Sequence, residues 1–494
     1  MRRRASTLNN NIQTQVVLLH SNDVHSRLEN AAKIAGYIAE ERRKYGSDSV
    51  LVIDCGDHID RMRVETEGSD GLVNVALLNL AGYEAVTLGN NEGLTYSIQV
   101  LESLYRDHAG FPVICANMKQ TATGELPEWL LPHAIIEKNG LSIGLIGVTT
   151  AYTDFYSLLG WEAADPIETV RKQAALLREQ VQVVVVMSHL GIRYDEKMAE
   201  SIDGIDLIIG AHTHHLLEEP LEICGTTICA AGKFGEYVGR VEISMDELSN
   251  RPVFRASVIP TAAFEEQQEA AELISTYLES GRQRLSEVIS VLNEPLPAFT
   301  NRESPLCNLL ASGLRLWTDA DIGIVNTGQL LGGLAQGEVT AGELHALCPS
   351  PINPCRISIE GKYIREALEQ SLLPEYIEKP IKGYGFRGHV LGNIAVDGLR
   401  IEFDSNCPDY MKLQSVLVNG EPLDDQRVYR LGTIDMFTFK AGYESLANGH
   451  SIDYYLPEFI RDVIAHQLQN SADIADCRRT RWHNVATDPR STRL

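Results

Sequence analysis

The stretch "DLIIGAHTHH", residues 206–215, runs the apolar Leu207, Ile208 and Ile209 into Gly210 and then into His212, His214 and His215. A short apolar run closed by glycine reads as a buried strand, and the histidines follow its carboxyl end. The same grammar recurs upstream. "QVVLL" (15–19) leads into "HSNDVH" with Asp23 and His25, and "SVLVI" (49–53) into "DCGDHIDR" with Asp57. "AVTL" (85–88) leads into "GNNE" with Asn90 and Asn91, and "VQVVVVM" (181–187) into "SHLG" with His189. Together with "LSIGLIGV" (141–148) and helical patterns such as "AAKIAGYIAEERRKYG" (31–46), these runs predict a layered α/β domain over residues 14–262. In open α/β sheets ligands bind beyond the carboxyl ends of the strands, so Asp23, His25, Asp57, Asn90, His189, His212 and His214 are expected to converge on one crevice. Gly89 to Glu92 reads as a polar turn, since Gly and Asn tolerate positive φ.

At 494 residues the chain is too long for one ordinary core, so two domains are expected. A composition of 44% hydrophobic and 22% charged residues is that of a soluble globular protein. With 43 basic against 67 acidic side chains, the net charge of -24 argues against a nucleic-acid polymer as partner. A small phosphorylated ligand remains compatible, because bound cations reverse the local field. The N-terminal "MRRRASTLNNNIQTQ" is basic but has no apolar core behind it, and "VVVVM" is far short of a membrane span. Nine cysteines without a CxxC pair suggest neither a disulfide framework nor a zinc knuckle. The expectation is a cytoplasmic protein with reduced thiols and no membrane attachment; oligomeric state is not readable.

Residues 263–292, rich in Glu, Gln, Ala, Leu and Arg, read as a long interdomain helix. A second α/β region follows over 293–484, then a polar, disordered tail over 485–494. Within that region Ser304 and Pro305 open a predicted helix through Trp317, "DIGIVN" (321–326) reads as a strand, and "TAGE" (340–343) has the form of a capping box.

A DxH pair alone arises by chance, and a lone histidine is more often a core or surface residue. Asp23, His25, Asp57, Asn90, His189, His212 and His214 at five strand ends are hard to obtain as a packing accident. Carboxylate, imidazole and amide oxygen without thiolate suit Mn, Zn, Fe or Co. Seven ligands exceed what one catalytic zinc takes, and they suffice for two divalent metal ions if a carboxylate bridges. Paired ions favour in-line phosphoester hydrolysis.

The order DxH, GDxxDR, GN(x)E, SHxG, GxHTH resembles the calcineurin-like metallophosphoesterases. The second region extends the resemblance to the family of 5'-nucleotidases and UDP-sugar hydrolases, over nearly the whole chain. The resemblance implies an N-terminal four-layer α/β/β/α sandwich plus a C-terminal 5'-nucleotidase-type α/β domain that binds substrate. It implies a first ion on Asp23, His25, Asp57 and His214, and a second on Asp57, Asn90, His189 and His212. A hydroxide bridging the two ions would then hydrolyse a small phosphorylated, nucleotide-like metabolite.

Where the family reads GNHE this chain reads GNNE, so Asn91 stands where a catalytic histidine is implied. An amide donates a hydrogen bond but carries no charge and delivers no proton. Asp57 and Asn91 are the candidate catalytic residues, with His58 and Arg61 as possible substitutes for the lost charge. In the second region "NTGQLL" (326–331) keeps Asn326 and Gly328 but places Leu331 at the family's arginine position. "SPIN" keeps Asn353 with Pro351 at the position of a stacking ring, and "KAGY" keeps Gly442 and Tyr443. Arg302 and Gly388 complete the candidate substrate-binding set of Arg302, Asn326, Gly328, Asn353, Gly388 and Tyr443. Tyr384, Phe386, Phe437 and Phe439 are candidate stacking rings. Two alternatives stay open: a phosphodiesterase or pyrophosphatase preferring good leaving groups, and a non-catalytic metal-dependent binding protein.

Overall fold

The computed structural model describes residues 15–487, which fall into two compact units dividing between Gly281 and Arg282. The basic N-terminal stretch and all but residues 485–487 of the polar tail lie outside the described residues.

The first unit contains two stacked sheets. In spatial order, one runs Pro252–Pro260, Tyr237–Met245, Val16–Ser21, Val50–Asp54, Ala85–Val86, Val113–Ile114, Leu130–Leu131. The other runs Leu221–Ile223, Thr226–Cys229, Leu207–Gly210, Val183–His189, Leu141–Thr149, His133–Lys138. The central strands are parallel, as the registers Leu18↔Leu51, Ile53↔Ala85, Val185↔Leu145 and Met187↔Ile209 show. Parallel strands covered on both faces read as unbroken apolar runs. Val183, Val185 and Met187 pack between the sheets against Leu18, Leu51 and Ile53, while Val184 and Val186 point the other way.

Helices close both outer faces. Leu28–Tyr45, Leu72–Ala81 and Ile98–His108 cover the first sheet through Ile34, Ile38, Leu78 and Leu101. Pro166–Arg178 and Ile192–Ser201 cover the second through Val170, Leu177 and Met198. Each fully buried Leu, Ile or Val contributes about 1.5–3 kcal/mol of transfer free energy. The expected four-layer α/β/β/α sandwich is thus borne out, and parallel pairing gathers the strand carboxyl ends along one edge. The helix Gln268–Arg284 packs Ala270 and Ile274 onto Leu28, Ala32, Val73 and Leu77.

The second unit holds a mixed five-stranded sheet in the order Ile394–Asp397, Ile322–Asn326, Val428–Ile434, Pro354–Glu360, His450–Tyr454. A four-stranded sheet of Glu421–Pro422, Leu413–Val418, Leu399–Phe403 and Trp482–Asn484 lies in the same unit. The helix expected at 305–317 spans Pro305–Trp317, although the Ser304 hydroxyl accepts from the Phe299 N–H instead of capping it. The capping box at Thr340 and Glu343 forms as read.

One local expectation changes. The third strand is only Ala85–Val86, and Asn90–Thr95 is a short helix with Gly89 at its N-cap, not a turn. Glu92 closes that helix by accepting from the Gly89 N–H at 2.9 Å.

Candidate metal centre

The seven candidate ligands gather at the carboxyl edge of the two sheets, and their backbones are unusual. Asp23, His25, Asp57, His212 and His214 have φ of 50°, 48°, 52°, 70° and 58°. Left-handed conformations cost non-glycine residues of order 1–3 kcal/mol each, and they persist only where surroundings over-determine them. Here the first two loops are zipped together. Asp23 N–H donates to Gly56 O, His25 N–H to Asp57 O and Ser26 N–H to His58 O at 2.8–2.9 Å. Asp23 is further held by the Asn22 amide at 2.8 Å and the His212 N–H at 3.0 Å.

The side-chain donor atoms point at common centres. Nε2 of His25 and Nε2 of His214 approach to 3.2 Å, and His214 Nε2 lies 3.4 Å from Asp23 Oδ1. His189 Nε2 lies 3.4 Å from Asp57 Oδ1 and 3.3 Å from Asn90 Oδ1, which in turn is 2.8 Å from His212 Nδ1. The other oxygen of Asp57, Oδ2, faces His25 Nε2 at 3.9 Å. With bonds of about 2.0–2.2 Å, two ligands of one ion lie roughly 3.0–3.5 Å apart, so these spacings are those of a coordination shell. Asp23, His25 and His214 form one group able to hold a metal ion, and Asp23, Asp57 and His189 another.

Electrostatics agree with a cation site. Burial raises the Asp57 carboxyl, but His189 and His25 more than offset it and hold Asp57 well below the usual range. Asp23 is likewise lowered: His214 and His189 outweigh its burial. His189 is buried, which lowers it, yet Asp57 and Asp23 raise it to about 10, while burial lowers His212 to about 4. The Nδ1 of His189 lies 2.8 Å from the Cys55 carbonyl, which fixes that nitrogen as an N–H and makes Nε2 the nitrogen that faces the centre.

Several participants were not singled out from the sequence. The Glu92 carboxylate accepts from the backbone N–H groups of Asp57 (3.0 Å), Ile59 (2.9 Å) and Gly89, tying the second and third loops. Its signal was the acid of the GN(x)E pattern. Tyr152 reaches His212 Nε2 with its hydroxyl at 3.1 Å, and no sequence pattern marks it.

Asn91 is committed within the cluster. Its backbone N–H donates to Asp57 Oδ1 at 2.7 Å, its amide nitrogen lies 3.0 Å from His25 Nδ1, and the amide donates to the Ile59 carbonyl at 3.1 Å. His58 is buried, which lowers it to about 3, and it contacts the Asn74 amide. Arg61 is paired with Glu67 through two bonds of 2.8 and 2.9 Å and donates to the Thr95 carbonyl. Neither offers a spare positive charge.

The C-terminal candidates are placed as follows. The Gly328 and Gly388 backbones meet: a Cβ on Gly388 would sit 2.2 Å from the Gly328 carbonyl oxygen. The Asn326 amide donates to Leu391 O and accepts from Gln329, and the Asn353 amide donates to Glu458 O, so both are structural ties. Tyr443 is fully buried and donates to Gly392 O at 2.7 Å. Arg302 is exposed, its guanidinium 4.0 Å from the Phe299 ring centroid. Phe386 and Phe437 lie in the core, whereas Tyr384 and Phe439 are 55% and 42% exposed and nearly parallel, with centroids 6.3 Å apart.

The sequence profile of the calcineurin-like phosphoesterases matches residues 16–216, and that of the 5'-nucleotidase C-terminal domain matches residues 288–447. The chain is 36% identical over 457 residues to the uncharacterized metallophosphoesterase YunD of Bacillus subtilis, covering 91% of this chain and 98% of that one. It is 25% identical over 483 residues to a snake venom 5'-nucleotidase of Gloydius brevicauda, covering 84% of this chain and 80% of the other. The solved structure of Haemophilus influenzae NAD nucleotidase shares the fold, with a TM-score of 0.66, 18% identity and coverage of 96% and 97%.

Proposed function

Because the chain belongs to the calcineurin-like metallophosphoesterases with a 5'-nucleotidase C-terminal domain, we propose that it hydrolyses a small, nucleotide-like phosphorylated metabolite at a centre holding two divalent ions. The observation that carries the two-ion reading is Asp57, whose two oxygens face different histidines, His189 and His25. On this reading Asp23, His25, Asp57 and His214 hold one ion and Asp57, Asn90, His189 and His212 the other. Such ions, when bound, supply Lewis acidity toward a phosphoryl oxygen and lower the pKa of a coordinated water.

The chain's own residues do the positioning. Glu92 and the Asn91 N–H fix Asp57, the Cys55 carbonyl sets the His189 tautomer, and Asn22 orients Asp23. Asn91 remains the neutral donor of the site. Residues 14–262 would carry the metal centre and 293–484 substrate selection, with Arg302, Tyr384 and Phe439 as exposed candidates; of the helix read over 263–292 only Gln268–Arg284 is helical, because Val288–Leu292 is a strand paired with Gly337–Thr340. Free cysteines support a cytoplasmic setting, and no helix among the described residues is long and apolar enough to cross a membrane.

A specific observation favours a second reading of substrate. With an amide at position 91, His58 buried and Arg61 paired, none of these three groups serves as acid to a poor leaving group, which suits activated diesters or pyrophosphates. The test is a panel of phosphomonoesters, diesters and pyrophosphates with Mn²⁺, Co²⁺ or Zn²⁺, alongside metal analysis. Two bound ions without turnover of any of them would overturn the hydrolase, and much faster monoester than bis-p-nitrophenyl phosphate cleavage would overturn the second reading.

A further inference from the structure

Resting on the phosphoesterase reading, we propose that Arg27 and Lys233, both laid against the ring of Phe234, form an anion-binding pair at the metal centre that takes a phosphate-type group of the substrate. The Arg27 guanidinium carbon lies 4.8 Å from the ring centroid and the Lys233 Nζ 4.6 Å. Phe234 is itself fixed in place. It adopts φ 61°, donates its N–H to Asp23 O at 2.7 Å and accepts from the Asn30 amide at 2.9 Å. Its ring stands edge-on to His25, with centroids 5.8 Å apart, and 6.5 Å from His214. One aromatic ring therefore joins two cations to two candidate metal ligands.

Neither cation has a carboxylate oxygen within 4.0 Å among the described residues, although Arg27 is near enough to Glu29 to help lower its carboxyl. Glu29, the acid nearest Arg27 in sequence, is engaged by Arg63 at 2.7 and 3.4 Å. In a chain of net charge -24, two cations beside the centre with no acid hydrogen-bonded to them create a local positive field that the overall charge does not. Stacking on the ring leaves the guanidinium N–H edges available for bidentate contact with an oxyanion. Arg27 also occupies the N-cap of the 18-residue helix Leu28–Tyr45, whose dipole adds to the same sign. The pair supplies positive charge that Asn91 lacks and that Arg61, held by Glu67, does not release.

The test is titration of metal-loaded protein with inorganic phosphate by calorimetry, with metal content measured in parallel. Wild type is compared with Arg27→Gln, Lys233→Gln, the double variant and Arg27→Lys. The double variant is expected to bind phosphate about tenfold or more weakly with metal content unchanged, and Arg27→Lys to retain most of the affinity. Phosphate affinity of the double variant within twofold of wild type overturns the pair, as does affinity that falls only in step with metal content. Absence of phosphate binding by wild type overturns it too. Should Arg27→Gln fail to fold, Lys233→Gln alone decides, with unchanged affinity again overturning the pair. Loss of phosphate binding in a protein that hydrolyses no phosphoester keeps the pair and removes the hydrolase. Turnover with phosphate affinity indifferent to both substitutions does the reverse.

Discussion

The side-chain amide of Asn91 lies 3.0 Å from Nδ1 of His25, so the residue that stands where the family reads histidine touches a candidate metal ligand at the nitrogen opposite Nε2. A donation to the Ile59 carbonyl at 3.1 Å fixes the amide itself.

Asn91→Ala is therefore expected to weaken metal binding at His25 by about tenfold, the usual cost of losing a ligand's outer partner. Asn91→His keeps a polar ring atom within reach of this position and adds an ionisable group. It is expected to keep the metal content and to preserve or raise activity on alkyl phosphates, whose leaving groups need a proton. The alkyl-to-aryl phosphate rate ratio, read with metal analysis, checks both. Damage by Asn91→His equal to that of Asn90→Ala would refute this assignment.

Asn90 behaves differently from its neighbour because its oxygen faces His189 Nε2 at 3.3 Å and His212 Nδ1 at 2.8 Å. Asn90→Ala is expected to leave one ion per chain instead of two, with activity abolished. Asp57→Asn should remove activity altogether, since both ions would lose a charged ligand. Metal content by plasma mass spectrometry separates the outcomes, and retention of two ions in Asn90→Ala would exclude the amide as a ligand.

What was readable in advance were features that local chemistry dictates. Apolar runs became strands, Pro305 to Trp317 became a helix, and Thr340 with Glu343 formed its box. The gathering of Asp23, Asp57, His189 and His214 followed from parallel strands ending on one edge. Gly89 to Glu92 reads as a turn, yet Asn90–Thr95 is helical, because Glu92, the group that closes this helix, also serves Asp57 and Ile59, distant in sequence. Tyr152 and the Phe234 cluster left no trace, since only tertiary contact brings them to the histidines. Burial of Tyr443 and internal use of the Asn326 amide are equally invisible in a loop motif.

Glu92→Gln isolates the loop clamp. Three backbone N–H groups converge on the carboxylate, and glutamine offers one oxygen and turns an NH₂ toward a donor. An unsatisfied buried donor costs about 1–3 kcal/mol, and roughly 2–4 °C of melting temperature follows per kcal/mol in a unit of this size. A fall of about 5 °C in the first thermal transition of metal-free protein is expected. No change would mean that the clamp adds nothing to stability.

In the C-terminal unit, Tyr384 and Phe439 are the exposed, nearly parallel rings. Stacking on a nucleobase contributes about 1–3 kcal/mol per base, so Tyr384→Ala with Phe439→Ala should raise KM for nucleotides by about tenfold or more. The KM for p-nitrophenyl phosphate should stay the same. Equal effects on both substrates would show that the rings do not select a base.

The pH dependence of metal binding turns on His189, which Asp57 and Asp23 raise from 6.5 to about 10 against the effect of its burial. In metal-free protein the protonated imidazole contributes stability that is full below about pH 6.5 and is lost as pH rises through 10. Asp57, held low by His189 and His25 despite burial, contributes stability above its ordinary 3.8 that is lost as pH falls through its lower folded value. A metal requires the neutral imidazole and must displace its proton. Between pH 7 and 8, inside the window of 6.5 to 10, affinity for Mn²⁺ at this site is therefore expected to rise about tenfold. Calorimetry in two buffers of different ionisation enthalpy should register about one proton released on filling the His189 site. Affinity independent of pH, with no proton released, would mean that His189 is already neutral or does not bind the ion.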